Sequence, residues 1–268
     1  FTAGGSESDN WALIAAAEAY ANKGKHIITS TVEHHAILHT CDYLKTRGYE
    51  ITYVNVDSDG RLKLDELEAA IRPDTILISI MFANNEIGTI QPIAEIGNIA
   101  KEHGILFHTD AVQAYCQVPI DVEALGIDML SVSGHKLGGP KGIGFLYIRK
   151  GVKIKSFIHG GAQERRRRAG TENVPGIVGL SKAVEIALAD MEEVDRILDE
   201  NLLTYHFQPI VNTIDGEIYS YEALMRSNSG KKISPLQIIK YADMLNRLND
   251  VEKATFVNVL NIVDGSSD

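Results

Sequence analysis

The chain has 268 residues and a formal net charge of -10, with a sequence pI of about 5.4, the opposite of the basic balance usual in nucleic-acid binders. Its 44% hydrophobic and 23% charged residues suit an ordinary globular protein of one large or two small domains, and no apolar run approaches the ~20 residues of a membrane span. Cys41 and Cys116 are its two cysteines; they cannot build a disulfide framework, so a reducing cytoplasm is the expected compartment.

Residues 1–20 read as a glycine turn followed by a helix, not as a secretory leader. The chain opens at Phe1 in a strand-to-loop passage, and an arm before it is expected to be missing. A helix is expected over 10–23, then a strand over 26–30, a helix over 36–47 and a strand over 51–57. Helix 64–71, strand 75–83 and helix 92–103 follow, with Pro92 in the first turn. Strands are then expected at 105–109, 129–133 and 142–149. Gly24, Gly48 and Gly104 stand just past helical patterns, as stop signals do. Strands alternating with helices imply an α/β fold with a mostly parallel sheet flanked by helices.

A helix over 178–193 runs without a Gly, Pro or Ser linker into residues 194–203, and the style then changes. Residues 206–212 and 217–224 read as two strands joined through Asp215-Gly216, a hairpin turn. Ser234-Pro235 has the cap and first-turn signature of a further helix. The expected division is 1–193 and 194–268.

In an open parallel sheet, ligands sit outside the carboxyl ends of the strands. That rule gathers Ser6, His34, Asn84-Asn85-Glu86, Asp110, Gln113 and Ser133-Gly134-His135-Lys136 at one edge. Gly4-Gly5-Ser6 opens into a helix and suits an anion cradle or a plain capped turn equally well. Lys136, between a strand and a glycine-rich turn, is expected to be partly desolvated and hence a nucleophilic amine; the plainer alternative is a surface lysine, and Lys141 beyond the turn is expected to face solvent. Asp110 closes an apolar strand, where a carboxylate can hold a pyridine nitrogen protonated or merely cap a helix. His34 can stack on a flat ring, shuttle a proton or simply satisfy loop hydrogen bonds. His35 and His39, four apart, lack an evident third metal ligand. The basic run 165–168 reads as a solvated or phosphate-facing loop in so acidic a chain.

Residues 1 to about 190 resemble the cysteine desulfurases, within the class V aminotransferase-like enzymes that use pyridoxal 5'-phosphate (PLP). The resemblance is carried by six ordered segments: T-A-G-G-S-E-S-D-N (2–10), T-V-E-H-H-A (31–36), N-N-E-I-G (84–88), H-T-D-A-V-Q (108–113), S-G-H-K-L-G-G-P-K-G-I-G (133–144) and R-R-A-G-T-E-N (167–173). It implies the large domain of the aspartate aminotransferase type I fold, truncated at its N-terminus. It implies Lys136 as the lysine that takes the cofactor's aldehyde and Asp110 as the partner of the ring nitrogen. Asn85 and Gln113 would lie near the phenolic oxygen, with His34 stacked on the ring. Gly5, Ser6, Ser133 and His135 would hold the phosphate. A threonine from the neighbouring subunit completes that site in the family; Thr171 matches it, which implies a homodimer. The implied reaction takes sulfur from L-cysteine, leaving alanine and an enzyme persulfide, for iron-sulfur cluster assembly or another sulfur-acceptor protein. The family's nucleophilic cysteine loop and carboxylate-gripping arginine lie downstream of the last matching segment. Neither Cys41 nor Cys116 stands in that context, so this chain is expected to lack the desulfurase activity.

Residues from about 195 resemble the start of an EAL domain, the cyclic diguanylate phosphodiesterase family, through R-I-L-D-E-N-L-L-T-Y-H-F-Q-P-I-V-N (196–212) and I-Y-S-Y-E-A-L-M-R (218–226). This implies Glu222 as a ligand for Mg²⁺ or Mn²⁺, with Gln208, Leu224 and Arg226 near the substrate. A barrel of this type needs roughly 250 residues, so an inactive fragment is expected. The competing functions are a cyclic diguanylate-binding signalling fragment and a non-catalytic chimera.

Overall fold

The computed structural model describes residues 1–245 and 247–265. The chain forms two compact units, residues 1–116 with 120–184, and residues 117–119 with 185–268.

The first unit contains α1 (Gly5–Tyr20), β1 (His26–Ser30), α2 (His35–Thr46), β2 (Glu50–Val54), α3 (Leu64–Ala70), β3 (Thr75–Ser79), α4 (Ile93–Glu102) and β4 (Leu106–Asp110). It continues through β5 (Met129–Ser133), a 3₁₀ turn (Gly134–Leu137), β6 (Gly144–Ile148) and the short α5 (Gln163–Arg166). The strand order is β2-β1-β3-β4-β5-β6. All neighbours are parallel except β6, which runs antiparallel to β5.

Every residue of β1, β3 and β5 is buried. Successive side chains of a strand point to opposite faces, so both faces of the sheet are covered. Ile27 and Leu77 join Ala12, Leu13 and Ala16 of α1 with Ile37 and Leu44 of α2 in one cluster; Ile28 and Ile78, one position on, are fully buried on the other side. That two-sided burial is why these strands read as continuous apolar runs. The order reverses at β1: β2 adds on one side and β3, β4 and β5 on the other. A crevice therefore opens beyond the carboxyl ends of β1 and β3.

Two boundary differences bear on the site. Helix α1 begins at Gly5, five residues before the expected start, because Gly4 takes φ 149°, a conformation open to glycine at little cost. The glycine turn is thus the helix N-terminus itself, and Asp9 rides on α1. Strand β3 stops at Ser79, and the backbone then follows β4 through Ile80 N–H to the His108 carbonyl and Phe82 N–H to the Asp110 carbonyl.

Helix α6 (Val174–Asp199) starts four residues before the expected helix and runs unbroken through residues 193 and 194, where the sequence has no linker. Beyond it the second unit holds β7 (Leu203–Val211), β8 (Ile218–Ser227), α7 (Pro235–Met244) and α8 (Leu248–Val263). The β7–β8 pair is antiparallel and turns through Gly216, with φ 77°. Ser234 and Gln237 form a reciprocal capping box ahead of Pro235, which satisfies two otherwise orphaned backbone donors. Val194, Ile197, Leu203, Tyr205, Ile238 and Ala242 form this unit's core. Among the described residues, no helix is long and apolar enough to cross a membrane.

Candidate cofactor-binding site

A cleft of about 270 Å³ lies at the carboxyl edge of the first unit's sheet. Of the ten residues expected to bind the cofactor, nine line it: Gly5, Ser6, His34, Asn85, Asp110, Gln113, Ser133, His135 and Lys136. They arrive from four strand ends and from the first turn of α1. His34 follows β1, Asn85 follows β3, Asp110 and Gln113 follow β4, and Ser133 to Lys136 follow β5. The parallel topology and the start of α1 bring them to one edge.

One end of the cleft suits an anion. The first turn of α1 presents backbone N–H groups without intrahelical partners and the positive end of the helix dipole. A side chain at Gly5 would put its Cβ 2.6 Å from Val112 Cγ2, so only glycine leaves this wall open. Ser133 Oγ lies 2.9 Å from His135 Nδ1 across the same end. The 3₁₀ turn carrying Lys136 closes at Gly138 with φ 77°, a left-handed position that favours glycine. Arg168 and Glu7, at 2.8 Å, tie the loop after α5 to the first turn of α1.

The floor is acidic and dry. Asp110 is 5% exposed, and its Oδ1 accepts the Val112 N–H at 2.9 Å. Burial pushes its carboxyl up, opposed by that N–H and by the nearby His34. His34 Nδ1 accepts the Ala36 N–H and so caps α2, which fixes the loop that carries its ring. Asn84 holds the neighbouring wall: its amide donates to the Val32 carbonyl and its Oδ1 accepts from Glu86 and Ile87 N–H. That scaffold leaves Asn85 exposed at the rim.

Lys136 is exposed on its turn, contrary to the partial desolvation expected for it, because the 3₁₀ turn projects past the end of β5. Lys141 is exposed as expected and lies outside the cleft. Thr171 lies outside it as well, in a second cleft of about 180 Å³ with Thr2, Gly142, Arg168 and Asn173. Cys41 and Cys116 are both buried; burial pushes their thiols up to about 12 and about 11. The imidazoles of His35 and His39 stand 5.3 Å apart. Among the described residues, no three His, Cys, Asp or Glu side chains are grouped to hold a metal ion.

That finding bears on Glu222, the residue expected to bind Mg²⁺ or Mn²⁺. It sits on β8 directly opposite Gln208 of β7, and both are exposed. Tyr205, Phe207, Ala223 and Met225 alternate with them and face the unit's core, so Glu222 and Gln208 are turned to the outer face of a two-stranded sheet. Arg226 donates to the Met225 carbonyl, and Leu224 lies beside it on the same strand. The metal centre is not assembled here.

Three buried groups at the floor are not singled out by the sequence pattern. Asp9 lines the cleft at 1% exposure. His108 is fully buried, with Ser79 and Ser131 hydroxyls each 2.9 Å from its ring nitrogens. Glu33, two strands away, accepts from Ser30 Oγ at 2.7 Å and Met81 N–H at 2.9 Å. The one signal for them was polar residues inside otherwise apolar segments.

Residues 1–229 match the Aminotransferase class-V family, and the chain belongs to that family. Within it, the chain is similar to cysteine desulfurases. It is 68% identical over 198 residues to the cysteine desulfurase IscS of Methanosarcina thermophila, covering 74% of this chain and 49% of that protein. A NifS-like protein of known structure superposes with TM-score 0.69 at 46% identity, covering 77% of this chain and 60% of that one. SspA in complex with cysteine superposes with TM-score 0.67 at 43% identity, covering 84% and 65% of the two chains. The chain spans about half the length of the curated relatives it matches. The family match runs across Glu222 to residue 229, and the resemblance of the C-terminal segment to an EAL domain finds no support in these relationships.

Glu33 yields a pH test. Burial raises its carboxyl to about 8 from an ordinary 4.5. A group raised in the fold stabilises it fully below the unfolded value, and that contribution is lost as pH rises through the folded value. Wild-type stability should therefore decline between about 4.5 and about 8, as it also would for Asp9 and Asp110, shifted in the same direction. Glu33→Gln keeps an oxygen for Ser30 and Met81 and should flatten that decline, measured as denaturant midpoints across the window. An unchanged slope would show that Glu33 is not held neutral.

Proposed function

We propose that this chain carries the cofactor-binding half of a PLP-dependent cysteine desulfurase. The complete enzyme would move sulfur from L-cysteine to an acceptor, by way of a protein thiol that becomes a persulfide while alanine leaves. The carrying observation is the convergence, in one cleft, of a buried carboxyl at the floor, a glycine-serine cradle at a helix N-terminus and a lysine at the mouth.

The donor set fits the cofactor. Gly5, Ser6, Ser133 and His135 would receive its phosphate, in the cradle that a Cβ at Gly5 would fill. Asp110 would pair with a protonated ring nitrogen, exchanging the cost of a buried acid for a charge-assisted hydrogen bond. His34 would lie against the ring, and Asn85 and Gln113 would reach the phenolic oxygen. Lys136 would hold the aldehyde through Nζ. When bound, pyridoxal phosphate supplies an electron sink for a carbanion at the substrate's α-carbon; the protein orients it and sets its charge.

Thr171 would serve the phosphate of a second subunit, making a homodimer part of the site. Its exposure, and its place outside the cleft that Ser6 and Ser133 line, leave it open to another chain. The cytoplasm suits a chain whose two cysteines are unpaired and buried. The second unit is assigned no catalytic role.

Three tests follow from the cleft. Borohydride reduction of the PLP-loaded chain should fix the cofactor on the peptide containing Lys136. Lys136→Ala should abolish the adduct while Lys141→Ala retains it, and labelling of Lys141 in the wild type would sink the assignment.

Sulfide release by way of a protein persulfide should be undetectable even with PLP bound. The attacking species must be a thiolate, and burial holds Cys41 and Cys116 as thiols. A persulfide trapped on either residue would refute this.

Thr171→Ala should weaken PLP binding about tenfold to a hundredfold, the loss expected for one hydrogen bond to a charged group, and a chain that sediments as a monomer should show no such effect. Tight PLP binding by a monomer would remove the dimeric site.

A further inference from the structure

Asp9 is an acid in this cleft to which the reading above gives no task. It sits on α1 at 1% exposure, lines the floor, and its Oδ1 has no hydrogen-bond partner among the described residues. The groups that face it come from three strands. Asp110 stands at the end of β4, Glu33 in the loop after β1, and Ser131 on β5. His108 Nε2, on β4, lies 3.8 Å from Oδ1, beyond direct hydrogen-bond length.

No cation stands among these neighbours. The His108 nitrogens are engaged by Ser79 and Ser131 hydroxyls, and burial holds the imidazole neutral, pushed down to about 3. Glu33 is itself an acid that burial keeps protonated. The Ser131 hydroxyl favours the charged form of Asp9, but desolvation and the Asp110 charge oppose it more strongly. Two carboxyls in one dry site cannot both ionise cheaply. The charge settles on the one that gains a cationic partner, and Asp110, with a backbone donor from Val112, is the better placed.

We propose that Asp9 is a positioning residue that remains a neutral carboxylic acid, so that Asp110 alone carries the negative charge opposite the cofactor's ring nitrogen. The inference rests on the reading of the cleft as a PLP site. Asp9 would then act through Asp110, keeping its charge undivided and the floor free of a second anion. The buried row Ser79–His108–Ser131 holds the surrounding polar groups in place.

The test uses the full chain loaded with PLP, binding being followed by the cofactor's visible absorption. Infrared difference spectra at neutral pH should show the carbonyl stretch of a neutral carboxylic acid. That band should shift when aspartate is labelled with ¹³C, which separates it from Glu33, and it should vanish in Asp9→Asn. The same variant should keep PLP affinity within about twofold, because an amide replaces a neutral acid without changing charge. A loss of about tenfold or more, one pKa unit's worth of interaction, would show that Asp9 supplies charge and would overturn the proposal. A label-sensitive band that persists in Asp9→Asn would overturn it too. Should Asp9→Asn not fold, the labelled wild type still decides, since PLP absorption without a label-sensitive acid band refutes the proposal alone. Absence of PLP absorption would overturn both the reading of the cleft and this inference.

Discussion

Three carboxyl groups, those of Asp9, Glu33 and Asp110, are taken out of water at the carboxyl edge of one parallel sheet, and the architecture of that edge answers to them. An isolated buried carboxylate is costly, so such groups either find donors or stay protonated. Glu33 finds the Ser30 hydroxyl and the Met81 N–H, which ties the loop after β1 to the segment after β3. Asp110 finds the Val112 N–H, which sets the turn out of β4. These bonds hold the loops that deliver His34, Asn85 and Gln113 to the cleft.

The opposite charge preference operates a few residues away. The N-terminus of α1 and the turn after β5 present donors and glycines, an environment for an anion. A ligand that is anionic at one end and a protonated aromatic base at the other matches both ends at once. Bare helix termini and lone carboxyls are common; the pairing of the two across one small cleft is not. The neutral His108 and its serines separate this polar floor from the apolar sheet interior without adding a charge.

The second unit illustrates how little a local pattern says without its surroundings. Glu222 and Gln208 face each other across β7 and β8, a geometry in which a carboxylate and an amide could share a ligand. Yet alternation along both strands turns them outward, while Tyr205 and Met225 face the unit's core. A two-stranded sheet has no neighbouring strand ends from which further ligands could converge.

Nearly all the strand and helix positions of the first unit, and nine of the thirteen residues that line the cleft, were legible in the amino-acid sequence. The reason is that a parallel sheet buried on both faces leaves continuous apolar runs, and its ligands gather at the strand ends that follow them. Local chemistry was legible too, as in Ser234-Pro235 and the Asp215-Gly216 turn. What the tertiary structure alone decided is which polar residues inside those runs matter. Asp9, Glu33 and His108 lie in segments whose pattern gives no distance between them, and their protonation follows from burial and from one another's charge. The same holds for the exposure of Lys136, set by a turn that projects beyond β5. Sequence spacing encodes order along the chain; dielectric surroundings and proximity arise only once the chain has packed.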